Sequence, residues 1–230
     1  MSFGIKTEKE ISNIKKSCNI SDAIMKNCIK NFNNFKKEKD VYNFIIKEIK
    51  KRKLKIAFKP IIGSGKNGAK PHHKAKNNYL KKGFCVIDLG VRYKGYCSDI
   101  TRTIYLGKIK KKEKKKYTLL LKVQENCIKK SKVGMKSKEL FNVAAKGLGN
   151  YKKYFIHRLG HGIGKRIHEG ISLSKKSNKV LKENMVFTIE PGIYFKNKFG
   201  IRIEDVVLLK KNRIEILTRY PKKLIVLDKL

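Results

Sequence analysis

Acidic residues are what this chain is short of: 18 Asp and Glu stand against 58 Lys and Arg, for a formal net charge of +40 over 230 residues. Tryptophan is absent and proline occurs four times. No apolar run approaches the ~18 residues that a membrane-spanning helix needs, and the N-terminal MSFGIKTEKE lacks the apolar stretch of a signal peptide. The five cysteines (Cys18, Cys28, Cys85, Cys97 and Cys127) are odd in number and form no C-x-x-C pair. That excludes a disulfide frame and a thiolate zinc knuckle, and leaves the reduced thiols of an intracellular protein, expected in the cytoplasm. The cationic excess has two readings. One is nonspecific contact with nucleic-acid phosphates through a lysine-rich surface. The other, which the composition favours, is solubility on a lysine-rich background: only eight of the 58 basic residues are arginine, and lysine is dense only at Lys108–Lys116.

With 40% hydrophobic residues the chain can build a sizeable core. Thr7-Glu8-Lys9-Glu10 reads as a capping box, and apolar residues at helical spacing follow, predicting helix over 8–34 with an interruption near Asn19–Ser21. The same period recurs over 38–52. Residues 55–73, with Pro60, Gly63, Gly65, Gly68 and Pro71, read as a loop after a short strand. Residues 84–106 read as a hairpin about Tyr93-Lys94-Gly95, 110–131 and 137–147 as helices, and 185–189, 201–209 and 213–218 as strands. Helices then strands, twice over, predict an α+β chain of two similarly ordered halves with an antiparallel-rich sheet. No linker is visible, so residues 1–230 are expected to form a single domain.

Scarce acids in apolar segments need an explanation, because a buried unpaired carboxylate is costly. Asp88 lies in FCVIDL and Asp99 in YCSDI. With the turn at Tyr93-Lys94 they are expected to face each other across the ladder, too close for both to remain ionised without a cation. Glu190 ends the run MVFTIE, and Glu204 sits in GIRIEDVVLL. HRLGHGIGKRIHEG interleaves His157, His161 and His168 with glycines, a pattern for backbone passing close to a bulky neighbour. Four carboxylates balance two divalent cations, and oxygen donors with one imidazole suit Mn, Fe or Co better than a thiolate-type zinc site. Two such ions would activate a shared water for hydrolysis.

On these motifs the chain resembles the pita-bread metallopeptidases, the family of creatinase, prolidase, Xaa-Pro aminopeptidase and methionine aminopeptidase, from about residue 6 to 220. The resemblance implies a curved antiparallel sheet with helices on its outer face, and two divalent ions (Mn, Co, Fe or Zn) bound by Asp88, Asp99, His161, Glu190 and Glu204. It also implies attack on the scissile carbonyl by a hydroxide shared between them. Glu190 would double as the proton shuttle. His72 in SGKNGAKPHH and His168 in IHEG match substrate-side histidines that steady the reacting amide, and His157 matches a pocket-wall position. YCSDITRT and Arg202 in GIRIED resemble the Xaa-Pro aminopeptidase and prolidase branch, where Arg202 either pairs an acid or meets a substrate carboxylate. The function so implied is removal of the N-terminal residue from Xaa-Pro peptides by a monomer or homodimer. The alternatives are a methionine aminopeptidase acting on nascent chains and a catalytically silent basic protein on the same fold that binds RNA or ribosomes. Two departures stand out. Where the family writes His-Glu-x-Pro, this chain has His168-Glu169-Gly170-Ile171. The N-terminal domain of larger Xaa-Pro enzymes is expected to be lacking, which leaves dimerisation and strictness for proline open.

Overall fold

The capping box does what its spacing predicts. In the computed structural model, which describes residues 4–228, the Thr7 hydroxyl accepts from Glu10 N at 3.3 Å and the Glu10 carboxylate from Thr7 N at 2.9 Å. Such a cap is worth about 1 kcal/mol. Residues 1–3 and 229–230 of the expected 1–230 unit lie outside the described residues. Helix α1 (Glu8–Lys30) is continuous where the polar Asn19–Ser21 cluster predicts an interruption. Ser21 is buried and shares a 2.6 Å hydrogen bond with the Ser98 hydroxyl, while Cys18, Ile24 and Met25 are buried beside it. Tertiary packing outweighs local propensity there. The helix stops at Asn31, and Phe32–Asn34 is a 3-10 turn rather than its continuation.

Helix α2 (Glu38–Lys51) precedes β1 (Lys55–Ile56), β2 (Ile61–Ser64), β3 (Gly83–Leu89), β4 (Val91–Tyr93), β5 (Tyr96–Cys97) and β6 (Ile100–Leu106). Helices α3 (Lys111–Lys130) and α4 (Ser137–Gly147) open the second half. Then come β7 (Gly160–His161), β8 (Ser172–Leu173), β9 (Val186–Ile189), β10 (Gly192–Phe195), β11 (Phe199–Arg202), β12 (Asp205–Leu209), β13 (Ile214–Ile216) and β14 (Val226–Leu227). The order of two helices followed by strands therefore repeats, as the sequence implies. Every strand pair described is antiparallel except β14 on β6. The order β14-β6-β3-β2 forms the sheet of the first half, and β13-β12-β9 the main sheet of the second.

The halves join where β6 meets β11 and β12: Glu204 N donates to Thr101 O at 3.2 Å, and the Thr103 hydroxyl to Arg202 O at 2.8 Å. One apolar core lies between α1, α2 and β2, β3 and β6, with Ile24, Ile45, Ile62 and Ile87 at its centre. Another lies between α3, α4 and the second sheet, with Leu120, Leu140, Phe187 and Val207. A third, smaller core sets Ile11, Ile14 and Cys18 of α1 against Val186, Val206 and Leu208 of the second sheet. Among the described residues no helix is long and apolar enough to cross a membrane.

The 84–106 hairpin forms with a different register from the expected one. Lys94 and Gly95 both take positive φ (46° and 85°), the requirement of a two-residue type I′ turn, so Tyr93 pairs with Tyr96. Asp88 consequently lies opposite Thr101, not Asp99. The shift is two residues, an even number, so Asp88 and Asp99 keep the same face as diagonal neighbours. The predicted 201–209 strand is also divided, because Ile203 and Glu204 belong to neither β11 nor β12.

Candidate active site

Three of the four acids occupy breaks between strands. Asp99 lies between β5 and β6, Glu190 between β9 and β10, and Glu204 between β11 and β12. At each break the chain leaves one sheet for another, so a side chain is aimed between sheets while the flanking ladders hold its backbone. Asp88 comes from β3 itself. All four, with His161, line a cavity of about 470 Å³ whose walls also include His72, His73, His157, His168 and Arg202. The residues singled out in the sequence thus converge.

Asp99, His161 and Glu204 each place a ligand atom within 4.8 Å of the others. His161 Nδ1 donates to Gly162 O at 3.2 Å, which turns the Nε2 lone pair toward Asp99 Oδ2 at 3.5 Å and Glu190 Oε1 at 3.4 Å. Burial lowers the His161 pKa to about 3, so the imidazole is neutral and three electron-rich atoms face one another. Burial, then repulsion from the neighbouring acids, lifts Asp99 and Glu204 well above the usual carboxylate range. Burial also raises Glu190 to about 7, and raises Asp88 against the pull of Arg202. Among the described residues, Asp88 Oδ1 and Glu204 Oε1 are the buried side-chain oxygens or nitrogens that have no hydrogen-bond partner. Oxygen-rich, anionic and partly unsatisfied, this donor set fits divalent cations.

The remaining contacts orient these groups. Thr101 donates to Glu204 Oε2 at 2.6 Å, and the Thr188 hydroxyl accepts from His161 N at 3.0 Å while reaching Glu190 Oε1 at 3.2 Å. Arg202, buried, gives Nη2 to Asp88 Oδ2 at 2.6 Å, Nη1 to the Tyr194 hydroxyl at 2.8 Å and to Pro71 O at 3.1 Å, and Nε to the Thr101 hydroxyl at 3.0 Å. Its guanidinium thus pairs with Asp88 and reaches three further protein oxygens. His157 Nδ1 donates to Arg158 O at 2.7 Å, so Nε2 accepts from Tyr194 at 3.0 Å, and burial lowers its pKa to about 3. Asp88, Arg202, Tyr194 and His157 therefore form one chain of hydrogen bonds along the wall. Thr101, Thr188 and Tyr194 escape the sequence reading. Thr101 carries the same signal as the acids, a polar side chain in an apolar strand.

His72 and His168 are exposed at the rim, and the His168 ring stands edge-on to His161 with centroids 4.3 Å apart. The glycines around His161 make room. A Cβ on Gly160 would lie 1.9 Å from Thr188 O, and one on Gly164 2.3 Å from Glu169 Oε1. Glu169 itself pairs with the buried Lys6 ammonium. Ile171, where the resemblance has proline, closes a small ladder. Its carbonyl accepts from Gly162 N at 2.7 Å, Glu169 N donates to Gly162 O at 2.8 Å, and Gly170 between them takes φ 80°.

A model of metallopeptidase family M24 matches residues 12–211. The Xaa-Pro dipeptidase of Pyrococcus horikoshii is 40% identical over 225 residues, covering 96% of this chain and 64% of the relative. Among solved structures, an X-Pro aminopeptidase from Thermotoga maritima superposes with TM-score 0.93 at 37% identity, covering 97% of this chain and 65% of that one. The prolidase from Pyrococcus furiosus does so with TM-score 0.91 at 40% identity, covering 94% and 65%. The chain thus spans somewhat less than two thirds of these relatives, and the pita-bread fold expected from the motifs is the one they share.

Proposed function

The chain belongs to metallopeptidase family M24, and from that premise we propose that it is a metal-dependent exopeptidase that removes the N-terminal residue from short peptides with proline second. The observation that carries the reading is electrostatic. Four carboxylates and the lone pair of a neutral imidazole converge on one floor, where the Arg202 guanidinium pairs with Asp88. Such a cluster must be neutralised by protons or by cations, and its oxygen-rich donor set suits divalent cations. Asp88, Asp99, His161, Glu190 and Glu204 would hold two divalent ions. When bound, these supply Lewis acidity and lower the pKa of water so that it attacks at neutral pH.

The chain's own residues do the rest. Thr101 and Thr188 fix the carboxylates of Glu204 and Glu190. Glu190, half-buried in the cavity lining, passes a proton to the leaving nitrogen in this reading. His72 and His168, exposed at the rim, donate hydrogen bonds to the scissile carbonyl and the amide beyond it. Tyr42, Phe58, Pro60 and Ile61 give the same cavity an apolar wall suited to a pyrrolidine ring. Proline's nitrogen carries no hydrogen, so no group is needed to satisfy one there. The volume, about 470 Å³, admits a ligand of two or three residues.

Activity on Ala-Pro, Ala-Pro-Ala and Met-Ala-Ser, measured with Mn, Co, Fe or Zn added in turn to stripped protein, tests this. The expected result is no turnover without metal, restoration by at least one ion bound at two per chain, and proline peptides cleaved fastest. Cleavage of Met-Ala-Ser without turnover of proline peptides would reassign the chain as a methionine aminopeptidase. Failure to bind any divalent ion would remove the enzymatic reading.

A further inference from the structure

Outside the floor cluster, Glu38 is sealed from solvent. It opens α2 and has 0% exposure. Its carboxylate turns away from the helix into the loop that carries His72. Oε1 accepts from Ser64 N at 3.0 Å, the Ser64 hydroxyl at 3.3 Å and Asn67 Nδ2 at 3.0 Å, and Oε2 faces His73 Nε2 at 2.9 Å. A carboxylate only accepts, so His73 Nε2 carries the proton that joins them. The backbone repeats the anchoring: Glu38 N donates to Asn78 O at 3.0 Å and Leu80 N to Lys36 O at 2.9 Å.

From the other side, Arg202 Nη1 holds Pro71 O at 3.1 Å. The Pro71-His72-His73 segment is therefore clamped twice, by α2 through His73 and by the floor of the cavity through Pro71. His72, between the clamps, is the exposed member. Both adjacent histidines border the cavity, but His72 is exposed whereas His73, 6% exposed, turns its Nε2 to an internal acid.

We propose that Glu38 and His73 are a positioning pair that fixes where His72 stands at the cavity, and so govern turnover more than binding. The inference rests on the peptidase reading for its kinetic consequence, but not for its structural one. A hydrogen-bond donor held rigidly at the reacting amide is worth more in the transition state than in the ground state. Loosening the loop should therefore lower kcat and leave KM nearly unchanged.

The test uses the metal-loaded protein with Ala-Pro, together with nitrogen-15 NMR of the histidine rings. His73→Leu removes the donor, whereas His73→Gln keeps an N–H at the reach of Nε2. His73→Leu is expected to lower kcat about ten- to a hundredfold with KM changed less than about threefold, and His73→Gln to restore most of it. In a His72→Ala background His73→Leu should add no further loss. Glu38→Gln, which sets an amide N–H against Nε2, should move the His73 proton to Nδ1 in the NMR spectrum, with the His72 resonances broadened or shifted. A loss of equal size in the His72→Ala background, or no loss at all, would overturn the pair as a device acting through His72. If the wild type cleaves no peptide, the functional reading fails separately and the NMR arm decides: His72 resonances unchanged by His73→Leu overturn the inference.

Discussion

Asp88, Asp99, Glu190 and Glu204 enter the cavity from a strand or from a two-residue break between strands, whereas His72 and His168 enter from loops and stand exposed. The acids have ladder hydrogen bonds on both sides and cannot move apart, although their charges favour it. The histidines are exposed, and each has a neighbour in sequence that is pinned: His73 by Glu38, and Glu169 by Lys6. A rigid sheet can hold repelling charges in place for a cation. A group that must meet and release a substrate is better carried by a loop whose adjacent residue is pinned.

The widest gap between the two regions should appear in Glu204→Gln. Loss of one floor acid is expected to lower kcat/KM by more than about 10³-fold. Metal-free Glu204→Gln should nevertheless melt higher than metal-free wild type, by about 1–2 kcal/mol, because a buried like-charge contact is relieved. Calorimetry of the stripped proteins checks this, and a lower melting temperature for the variant would contradict the strained-floor account. Lys6→Met is the loop counterpart. It leaves the Glu169 carboxylate without its cation and should cost about 2–4 kcal/mol, read from urea unfolding. Lys6→Met combined with Glu169→Gln should recover most of that, since no unpaired charge remains. The smallest effect is expected for Lys179→Gln. The Lys179 ammonium donates to Gly170 O at 3.0 Å on the exposed side of the same loop, and its loss should cost under about 0.5 kcal/mol. A larger value would mean that the loop depends on its surface contacts as much as on its buried pair.

Much of the site was legible in the sequence for one reason: an acid in an apolar run is conspicuous in a chain with so few of them. The same reasoning, applied to hydroxyls, would have found Thr101 but not Tyr194, whose role depends on Arg202 and His157 reaching it. The hairpin register was missed by two residues because the turn's centre is set by which residues tolerate positive φ. Lys94 joins Gly95 there without any sign in its residue type. The continuity of α1 through Asn19–Ser21 was hidden too, since it depends on Ser98 arriving from the hairpin.

Periodicity and composition, read along the chain, determined the helices, most strands, the repeated order of the two halves and the acids that must go inside. Those are local properties, because burial of a face is written at intervals of two or 3.6 residues. The tertiary structure alone decided who pairs with whom. Asp88 meets Arg202, Glu38 meets His73 and Lys6 meets Glu169 across separations of 114, 35 and 163 residues. No short-range pattern records these meetings, because each exists only once sheets and loops have crossed in space and two side chains of opposite character are enclosed together.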